Sequence, residues 1–315
     1  MAWQEHWGRA PRYAGLHTFA RAPAAASPEG LDVAIFGVPY DSATTFRSGA
    51  RHAPAAIRKV SGLMREYHPW WRVAPFETLR VGDLGDVPVV PAYVEQTLRA
   101  VRDWTTAVLE AGAFPMAMGG DHSVTLPLLR AAVARHGRLS LIQFDAHPDT
   151  WDTEHGQPYG HGTSIRRAID EGLIEPTASV QVGLRGSVDA AGDLEEARAL
   201  GLRLIPMGEA AEMGVAAVVS RVRETVRAPV YVTLDIDAAD PSCAPGTGTP
   251  EVGGFSAREM LGLVRGLRDL PIVGFDIVEV CPAFDCGEIT ALLAANLMYE
   301  MLCLLASRRA GHAGA

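Results

Sequence analysis

Residues 139–149 read Leu-Ser-Leu-Ile-Gln-Phe-Asp-Ala-His-Pro-Asp, a mostly apolar run that leads directly into polar residues at every second position. A short apolar run of this kind predicts a strand that is buried on both faces, which is typical of a parallel sheet. Alternate residues of an extended chain lie on one face, so Asp145, His147 and Asp149 should converge at the end of this strand. The stretch therefore predicts a parallel sheet and a polar site at the carboxyl end of one of its strands.

Apolar runs of the same kind recur along the chain and predict eight strands. They lie at residues 31–38, 79–81, 114–118, 139–144, 179–184, 202–206, 230–234 and 272–275. Segments with helical spacing separate most of them, at residues 93–111, 123–136, 165–171, 194–200, 215–226 and 257–267. A last helix at residues 289–307 is apolar almost all round and should be largely buried.

This alternation of strands and helices predicts an α/β fold. No linker or internal repeat interrupts it, so we expect one domain at residues 31–310, preceded by an N-terminal arm at residues 1–30. The pattern alone does not separate an open, doubly wound sheet from a closed β/α barrel. In either architecture, the functional site should lie at the carboxyl ends of the strands.

Composition excludes several classes of function. The 315 residues include 37 acidic and 28 basic side chains, a net charge of −9 with His neutral, so neither a nucleic-acid surface nor a nucleic-acid partner is expected. The single lysine, Lys59, leaves few routes to a Walker phosphate loop or a Schiff base. The four cysteines form no Cys-x-x-Cys pair, and no secretory signal is recognisable. We expect no apolar stretch of the ~18 to 20 residues that span a membrane, and a cytoplasmic location.

Two further strand ends carry similar polar residues. The strand at 230–234 runs into Asp235 and Asp237, and the strand at 114–118 ends in Gly-Gly-Asp-His-Ser, which contains His122. A single acid at a strand end is usually a helix cap, but capping does not need alternate acids on one strand face. Because clustered buried acids repel one another without a cation, the three strand ends predict a metal site. Six oxygen and nitrogen donors exceed the needs of one zinc ion and favour a dinuclear site that suits Mn²⁺.

The ordered motifs resemble those of the ureohydrolase family, which contains arginases, agmatinases and guanidino-acid hydrolases. The resemblance extends over residues 11 to about 307. It rests on Gly-Gly-Asp-His-Ser at 119–123, Asp-Ala-His-Pro-Asp at 145–149, His-Gly-Thr at 161–163, Asp-Ile-Asp-Ala-Ala-Asp-Pro at 235–241 and Glu-Ile-Thr-Ala at 288–291. It implies a three-layer α/β/α domain with an open, mainly parallel eight-stranded sheet, and hydrolysis of a guanidino group to urea and an amine.

The resemblance also implies a metal centre with two Mn²⁺ per chain. One metal would be bound by His122, Asp145, Asp149 and Asp235. The other would be bound by Asp145, His147, Asp235 and Asp237, so that Asp145 and Asp235 bridge the two. Hydroxide held between the metals would attack the guanidinium carbon.

Two more residues receive roles from the same resemblance. His161 would relay protons between solvent and the site, and Glu288 would receive the substrate guanidinium in a planar pair. Cys286 and Gly287 stand where relatives often carry His and Ala, which leaves the shape of that rim open. Asp121 and Glu279 are interpreted as acids that orient metal ligands or support the fold.

The segment at residues 150–160 should contact the tail of the guanidino substrate. Trp151 and Asp152 are its candidate substrate-binding residues, and Asp152 with Glu154 could attract an amine-ended tail such as that of agmatine. The favoured reaction is therefore agmatine to putrescine and urea. The alternative is a guanidino acid, 4-guanidinobutyrate or 3-guanidinopropionate, for which the candidate carboxylate partners are Arg47, Arg51 and Arg185.

Two remote alternatives are a non-catalytic metal-binding homologue and a dinuclear phosphoesterase. The first is disfavoured because every ligand in the pattern is present, and the second because no set of phosphate-clamping residues lies near these strand ends. Relatives of this family assemble as trimers or hexamers, so a homo-oligomer is expected, with no membrane partner.

Overall fold

A computed structural model describes residues 11–188 and 190–311. Its centre is one sheet of eight strands, in which every pairing is parallel. The strands are β1 (Val33–Gly37), β2 (Val81–Asp86), β3 (Phe114–Met118), β4 (Ser140–Phe144), β5 (Val180–Val182), β6 (Arg203–Ile205), β7 (Val230–Asp235) and β8 (Ile272–Val278). Their order is β2-β1-β3-β8-β7-β4-β5-β6, with β2 and β6 at the two edges, so the sheet is open and the barrel alternative is wrong.

Nine α-helices accompany the sheet in the described ranges. They are α1 (Ala53–Ser61), α2 (Pro75–Thr78), α3 (Val94–Glu110), α4 (Thr125–His136), α5 (Ser164–Asp170), α6 (Asp193–Ala199), α7 (Met207–Thr225), α8 (Ala257–Gly266) and α9 (Ile289–Arg309). The predicted segments did not include α1 and α2. The backbone of α7 is not helical at Gly214, and its second part begins at residue 215, as predicted, after a first part that was not predicted. Helix α1 presents small buried residues such as Ala53 beside a proline at its first turn, which weakens its helical pattern.

The helices cover both faces of the sheet. Alternate residues of β1 enter two different hydrophobic clusters: Val33 and Ile35 lie in one, and Ala34 and Phe36 lie in the other. The first cluster is closed mainly by α1, α7, α8 and α9, and the second by α3, α4, α5 and α6. This confirms the predicted three-layer α/β/α class.

The last helix lies in the core. By length and composition α9 could cross a membrane, which corrects the expectation that no segment is long enough, but 78% of its most apolar window is buried inside the protein. Such burial is typical of a core helix and agrees with the burial predicted for residues 289–307.

The N-terminal segment covers one edge of the sheet. In its described part, the Ala25 amide donates to the Asp83 carbonyl oxygen at 2.9 Å, and the Asp83 amide donates to the Pro23 carbonyl oxygen at 2.9 Å. These bonds occupy backbone groups of β2 that would otherwise be open to pairing with another chain. Residues 1–10 of the predicted arm lie outside the described residues.

Candidate active site

Four neighbouring strands in the middle of the sheet, β3, β8, β7 and β4, bring the predicted site residues together. Because the strands are parallel, their carboxyl ends meet at one edge. His122 follows β3, Asp145 follows β4, and Asp235 ends β7. The sheet order therefore joins residues that are more than 100 positions apart in the sequence.

The first group of donor atoms surrounds His122. Its Nδ1 atom lies 2.8 Å from Asp149 Oδ2, 3.1 Å from Asp145 Oδ2 and 3.4 Å from Asp235 Oδ2. All four side chains are buried. Despite these distances, Nδ1 makes no hydrogen bond, so it and the carboxylates face a common space.

The second group surrounds His147, whose Nδ1 atom lies 3.1 Å from Asp237 Oδ2 and 3.7 Å from Asp145 Oδ1. Asp145 thus turns one oxygen to each histidine, as expected of a residue between two metals. In each of the groups His122, Asp145, Asp149 and Asp145, His147, Asp237, the ligand atoms lie within 4.8 Å of one another. The structure therefore brings all six predicted ligands to one place.

The charges of this cluster fit divalent cations. Burial and the neighbouring Asp145 raise the pKa of Asp149 to about 7, and burial with Asp237 and Asp145 raises the pKa of Asp235 well above its usual range. These shifts reflect carboxylates that repel one another in a buried space. A divalent cation would relieve that repulsion, and the unpartnered His122 Nδ1 would supply a nitrogen ligand. The donor set is compatible with a dinuclear site.

His161 lies between carboxylates beside this cluster. Its Nδ1 atom is 2.9 Å from Glu279 Oε1, and its Nε2 atom is 2.8 Å from Thr45 Oγ1 and 3.8 Å from Glu154 Oε1. Burial disfavours the imidazolium, but Glu279 and Glu154 outweigh it and raise the pKa of His161 to about 10. The side chain is therefore well placed to hold a proton at the site.

The structure does not bring Glu288 to this site. Its side chain is 49% exposed and pairs with Lys59 Nζ at 2.6 Å, and it does not line the cleft. Glu279 lies at the site instead. Its Oε1 atom accepts the His122 amide at 2.8 Å, and its buried Oε2 atom has no hydrogen-bond partner. This corrects the predicted role of Glu288.

The sequence indicates Glu279 only as an acid that orients metal ligands or supports the fold, because the predicted end of its strand lies too early in the chain. The last strand was expected to end at residue 275, whereas β8 continues to Val278. Glu279 then follows its strand directly, as Asp145 follows β4. A longer strand assignment would have placed this acid beside the metal ligands.

A cleft of about 430 Å³ opens at this cluster. His147, Asp149, His161 and Asp235 line it on one side, and residues 151 and 153–155 line it on another. The described residues also form a larger cavity of about 1260 Å³ along the β2 edge, but none of the predicted site residues line that cavity. The smaller cleft is therefore the candidate substrate site.

The loop after β4 places Glu154, rather than Asp152, in the cleft. Trp151 lines the cleft and donates its Nε1–H to Asp193 Oδ2 at 3.2 Å. The Asp152 side chain is 64% exposed, does not line the cleft and is paired with Arg167, which corrects its predicted role.

Glu154 is held against the loop that carries His161. Its Oε2 atom accepts the Gly162 amide at 3.1 Å, and burial raises its pKa. A Cβ at Gly160 would lie 1.8 Å from Glu154 Oε2, so a larger residue at that position would displace the Glu154 carboxylate.

The three arginines considered for a carboxylate tail have other partners. Arg51 pairs with Asp41, and Arg185 donates to backbone carbonyl oxygens, including Asp237 O at 2.6 Å and Glu251 O at 2.7 Å. The Arg47 guanidinium lies over the Phe284 ring at 4.7 Å. Among the described residues, no Arg or Lys lines the cleft.

Comparison with known proteins identifies the class that this fold and site define. The sequence profile of the arginase family matches residues 31–303, and the chain belongs to that family. Guanidinopropionase of Pseudomonas aeruginosa is 50% identical over 302 residues, which cover 95% of each chain. Mitochondrial agmatinase of Gallus gallus is 41% identical over 93% of this chain and 87% of its own. The structure of proclavaminate amidino hydrolase from Streptomyces clavuligerus is 41% identical with a TM-score of 0.89, and the match covers 95% of this chain and 99% of that one.

The chain is accordingly a ureohydrolase that hydrolyses guanidino compounds. This confirms the predicted family and the predicted enzyme class. The names of the relatives differ in substrate, so they do not decide which guanidino compound this enzyme uses.

Proposed function

We propose that this enzyme holds two Mn²⁺ ions and converts agmatine to putrescine and urea. The observation that carries the choice of substrate is Glu154, a carboxylate that lines a cleft in which no Arg or Lys of the described chain is present. An acidic cleft favours a substrate with an ammonium group at its far end over one with a carboxylate. The choice of Mn²⁺ is supported by the donor set, four carboxylates and two imidazoles without a thiolate.

The first step of the proposed mechanism is binding of the guanidinium. Glu279 does not itself line the cleft, but it lies next to His161, which does, and its buried Oε2 atom has no partner and could accept a guanidinium N–H. Glu154 would bind the ammonium at the other end of the substrate. Between these two acids the guanidinium carbon would lie beside the donor cluster.

The second step is hydrolysis of the C–N bond. Divalent cations bound by the six ligands would lower the pKa of water and supply a nucleophile near neutral pH. A water oxygen would add to the guanidinium carbon, the bond to the tail nitrogen would break, and loss of the remaining hydroxyl proton would give urea. The departing nitrogen needs a proton, and His161, with its raised pKa, is the side chain that would donate it.

One assay tests the proposed reaction. Urea release is measured from agmatine, 4-guanidinobutyrate, 3-guanidinopropionate and arginine after reconstitution with Mn²⁺, with bound metal counted in parallel. The highest kcat/KM is expected with agmatine. Preference for another guanidino compound would overturn the choice of substrate. Absence of urea from all four, with two metals bound, would overturn the proposed reaction.

Replacement of Glu154 tests how the substrate tail is recognised. In Glu154→Gln the amide oxygen can still accept the Gly162 amide, but the negative charge is lost. We expect the KM for agmatine to rise roughly tenfold, equal to about 1.4 kcal/mol of binding, while the KM for 4-guanidinobutyrate does not rise. Asp152→Asn is the matched control, because it removes an acid of the same loop that does not line the cleft. An equal effect of both variants would contradict the role of Glu154.

Replacement of His161 separates turnover from metal binding. His161→Asn removes the proton donor but none of the six ligands, so both metals should remain while kcat falls by about 10² to 10⁴. Metal content by atomic absorption and urea release are the two measurements. Full activity of this variant would show that His161 carries no proton in the reaction.

A guanidino acid is the second candidate substrate. It is favoured by the 50% identity to guanidinopropionase over nearly the whole chain. His155, Ser187 and Thr249 line the cleft and could donate hydrogen bonds to a carboxylate tail. The substrate comparison above decides between the two candidates.

We further propose a cytoplasmic homo-oligomer, a trimer or a hexamer. All four cysteines lie in the described ranges and are free, which is usual in a reducing compartment. Large apolar side chains are exposed at Tyr13, Leu63 and Tyr67, with 85%, 54% and 56% of their surface accessible. Aromatic side chains are enriched at subunit contacts. Cell fractionation tests the location, and light scattering after size-exclusion chromatography tests the assembly, for which a monomeric mass would contradict the proposal.

A further inference from the structure

Three buried polar side chains form a network behind the donor cluster. His122 turns its second ring nitrogen, Nε2, to Thr233 Oγ1 at 2.9 Å. Thr233 Oγ1 donates to Asp276 Oδ1 at 2.7 Å, and Thr125 Oγ1 donates to the same oxygen at 3.1 Å. None of Thr125, Thr233 and Asp276 has any exposed surface, and none lines the cleft. They can therefore influence the donor cluster only through His122.

The directions of these hydrogen bonds determine where His122 carries its proton. A threonine hydroxyl has one hydrogen. When Asp276 is ionised, Thr233 donates that hydrogen to the carboxylate, its oxygen then accepts from His122, and Nε2 holds the proton. The lone pair of the neutral ring lies on Nδ1, which is the atom that faces Asp145, Asp149 and Asp235. This is the tautomer that a metal ligand at Nδ1 requires.

The register of two strands builds the network. Thr233 of β7 is paired with Asp276 of β8, and Tyr231 is paired with Gly274 two residues earlier. A Cβ at Gly274 would lie 2.5 Å from the Tyr231 ring, so the glycine leaves room for that ring on the face of the sheet. Tyr231 lies beside Asp276, and burial together with this acid raises the pKa of the phenol.

Packing alone does not explain why position 276 carries an acidic side chain. A buried carboxylate costs free energy unless hydrogen bonds compensate it, and an apolar side chain would fill a sheet core at lower cost. Asp276 is in neither group of ligand atoms; its Oδ1 atom accepts from two hydroxyl groups, and its buried Oδ2 atom has no hydrogen-bond partner. Its effect on Thr233 supplies an explanation.

We propose that Asp276 is a positioning residue that, through Thr233, fixes His122 in the tautomer with its lone pair on Nδ1 and so sets the affinity of this site for a divalent cation. Outer partners of ligand histidines act in this way in metalloproteins generally, and their loss weakens metal binding by about 10- to 100-fold. The inference rests on the proposed metal site, but not on the proposed substrate.

Mn²⁺ binding to the metal-free full-length protein tests this inference. The binding isotherm, followed by electron paramagnetic resonance, is compared with that of His122→Asn, which identifies the ion that His122 binds. In Thr233→Val and in Asp276→Asn, affinity for that ion should fall by about 10- to 100-fold. Thr233→Ser keeps the hydroxyl and should keep the affinity of the unaltered protein. Melting temperatures check that each variant is folded.

A double variant distinguishes positioning from a general structural effect. If Asp276 acts through Thr233, Thr233→Val with Asp276→Asn should lose no more affinity than Thr233→Val alone. Additive losses, or unchanged affinity in Asp276→Asn, would overturn the proposal. If Asp276→Asn does not fold, equal affinities of Thr233→Val and Thr233→Ser would overturn it as well. Because only metal binding is read, a protein that binds Mn²⁺ normally but releases no urea would contradict the proposed function and leave this inference standing.

Discussion

Asp235→Asn is expected to lose bound metal and urea release together. Asp235 ends β7, directs Oδ2 toward His122 Nδ1 at 3.4 Å, and accepts the Asp237 amide on Oδ1 at 2.8 Å. The amide side chain keeps the shape but removes one negative charge from the cluster that would hold the cations. Loss of metal catalysis is worth several kcal/mol, so kcat should fall by at least about 10³-fold. Metal content after dialysis and urea release are measured on the same sample.

Asp240→Asn is the control for this variant. Asp240 lies five residues further along the chain and caps a surface turn, in which its carboxylate accepts the Ser242 and Gly253 amides at 2.9 and 2.7 Å. It contacts none of the six ligands, so Asp240→Asn should keep both metals and change activity less than about twofold. Retention of two metals and full activity in Asp235→Asn would remove Asp235 from the ligand set.

The metal ligands could be predicted from the sequence because their pattern is local. Asp145, His147 and Asp149 alternate immediately after one buried strand, and Asp235 and Asp237 alternate at the end of another. Alternation of this kind requires only knowledge of where a strand ends. The order of the strands was not available from this pattern, because it depends on contacts between distant segments, and the open sheet was inferred from family resemblance.

Asp152 and the proposed guanidinium role of Glu279 show where local reasoning failed, whereas Glu154 lies in the cleft, as the loop sequence indicated. The position of Glu279 depends on three more strand residues at the end of β8 than were predicted. Those residues are in the strand because β8 pairs with β7 as far as the pair Asp235 and Val278. The direction of the acids in the loop depended on partners elsewhere in the chain. Asp152 forms an ion pair with Arg167 at the surface. Gly160 and Gly162 leave room for the Glu154 carboxylate. Gly160 belongs to the loop itself, but neither its contact with Glu154 nor the pairing of Asp152 with Arg167 is visible in the loop sequence alone.

The network of Thr233 and Asp276 depends on the same kind of information. Thr233 alternates with Asp235 and Asp237, but a threonine at that place does not by itself indicate a metal site, and its pairing with Asp276 follows only from the register of β7 and β8. Register places Asp276 across from Thr233 and places Thr233 behind His122. A side chain that acts through two intermediates can therefore be recognised only in the folded chain.

Glu279→Gln and Glu288→Gln should differ sharply in activity, although both replace a glutamate within ten residues of chain. Glu279 is 1% exposed and its Oε2 atom is unpartnered, so an amide there would present a donor, or a weaker acceptor, to a buried guanidinium. Breaking one side of a buried ion pair costs about 3 to 5 kcal/mol, so kcat/KM should fall by roughly 10²- to 10⁴-fold while both metals remain bound.

Glu288→Gln removes only a solvent-exposed pair with Lys59, and such pairs contribute at most about 1 kcal/mol. Its kcat/KM should therefore stay within about twofold of the unaltered enzyme. Steady-state kinetics with agmatine and with 4-guanidinobutyrate, together with metal content, provide the comparison. Because both substrates carry the same guanidinium, the loss in Glu279→Gln should be similar for the two. A large loss in Glu288→Gln with normal kinetics in Glu279→Gln would show that Glu288, and not Glu279, binds the substrate guanidinium.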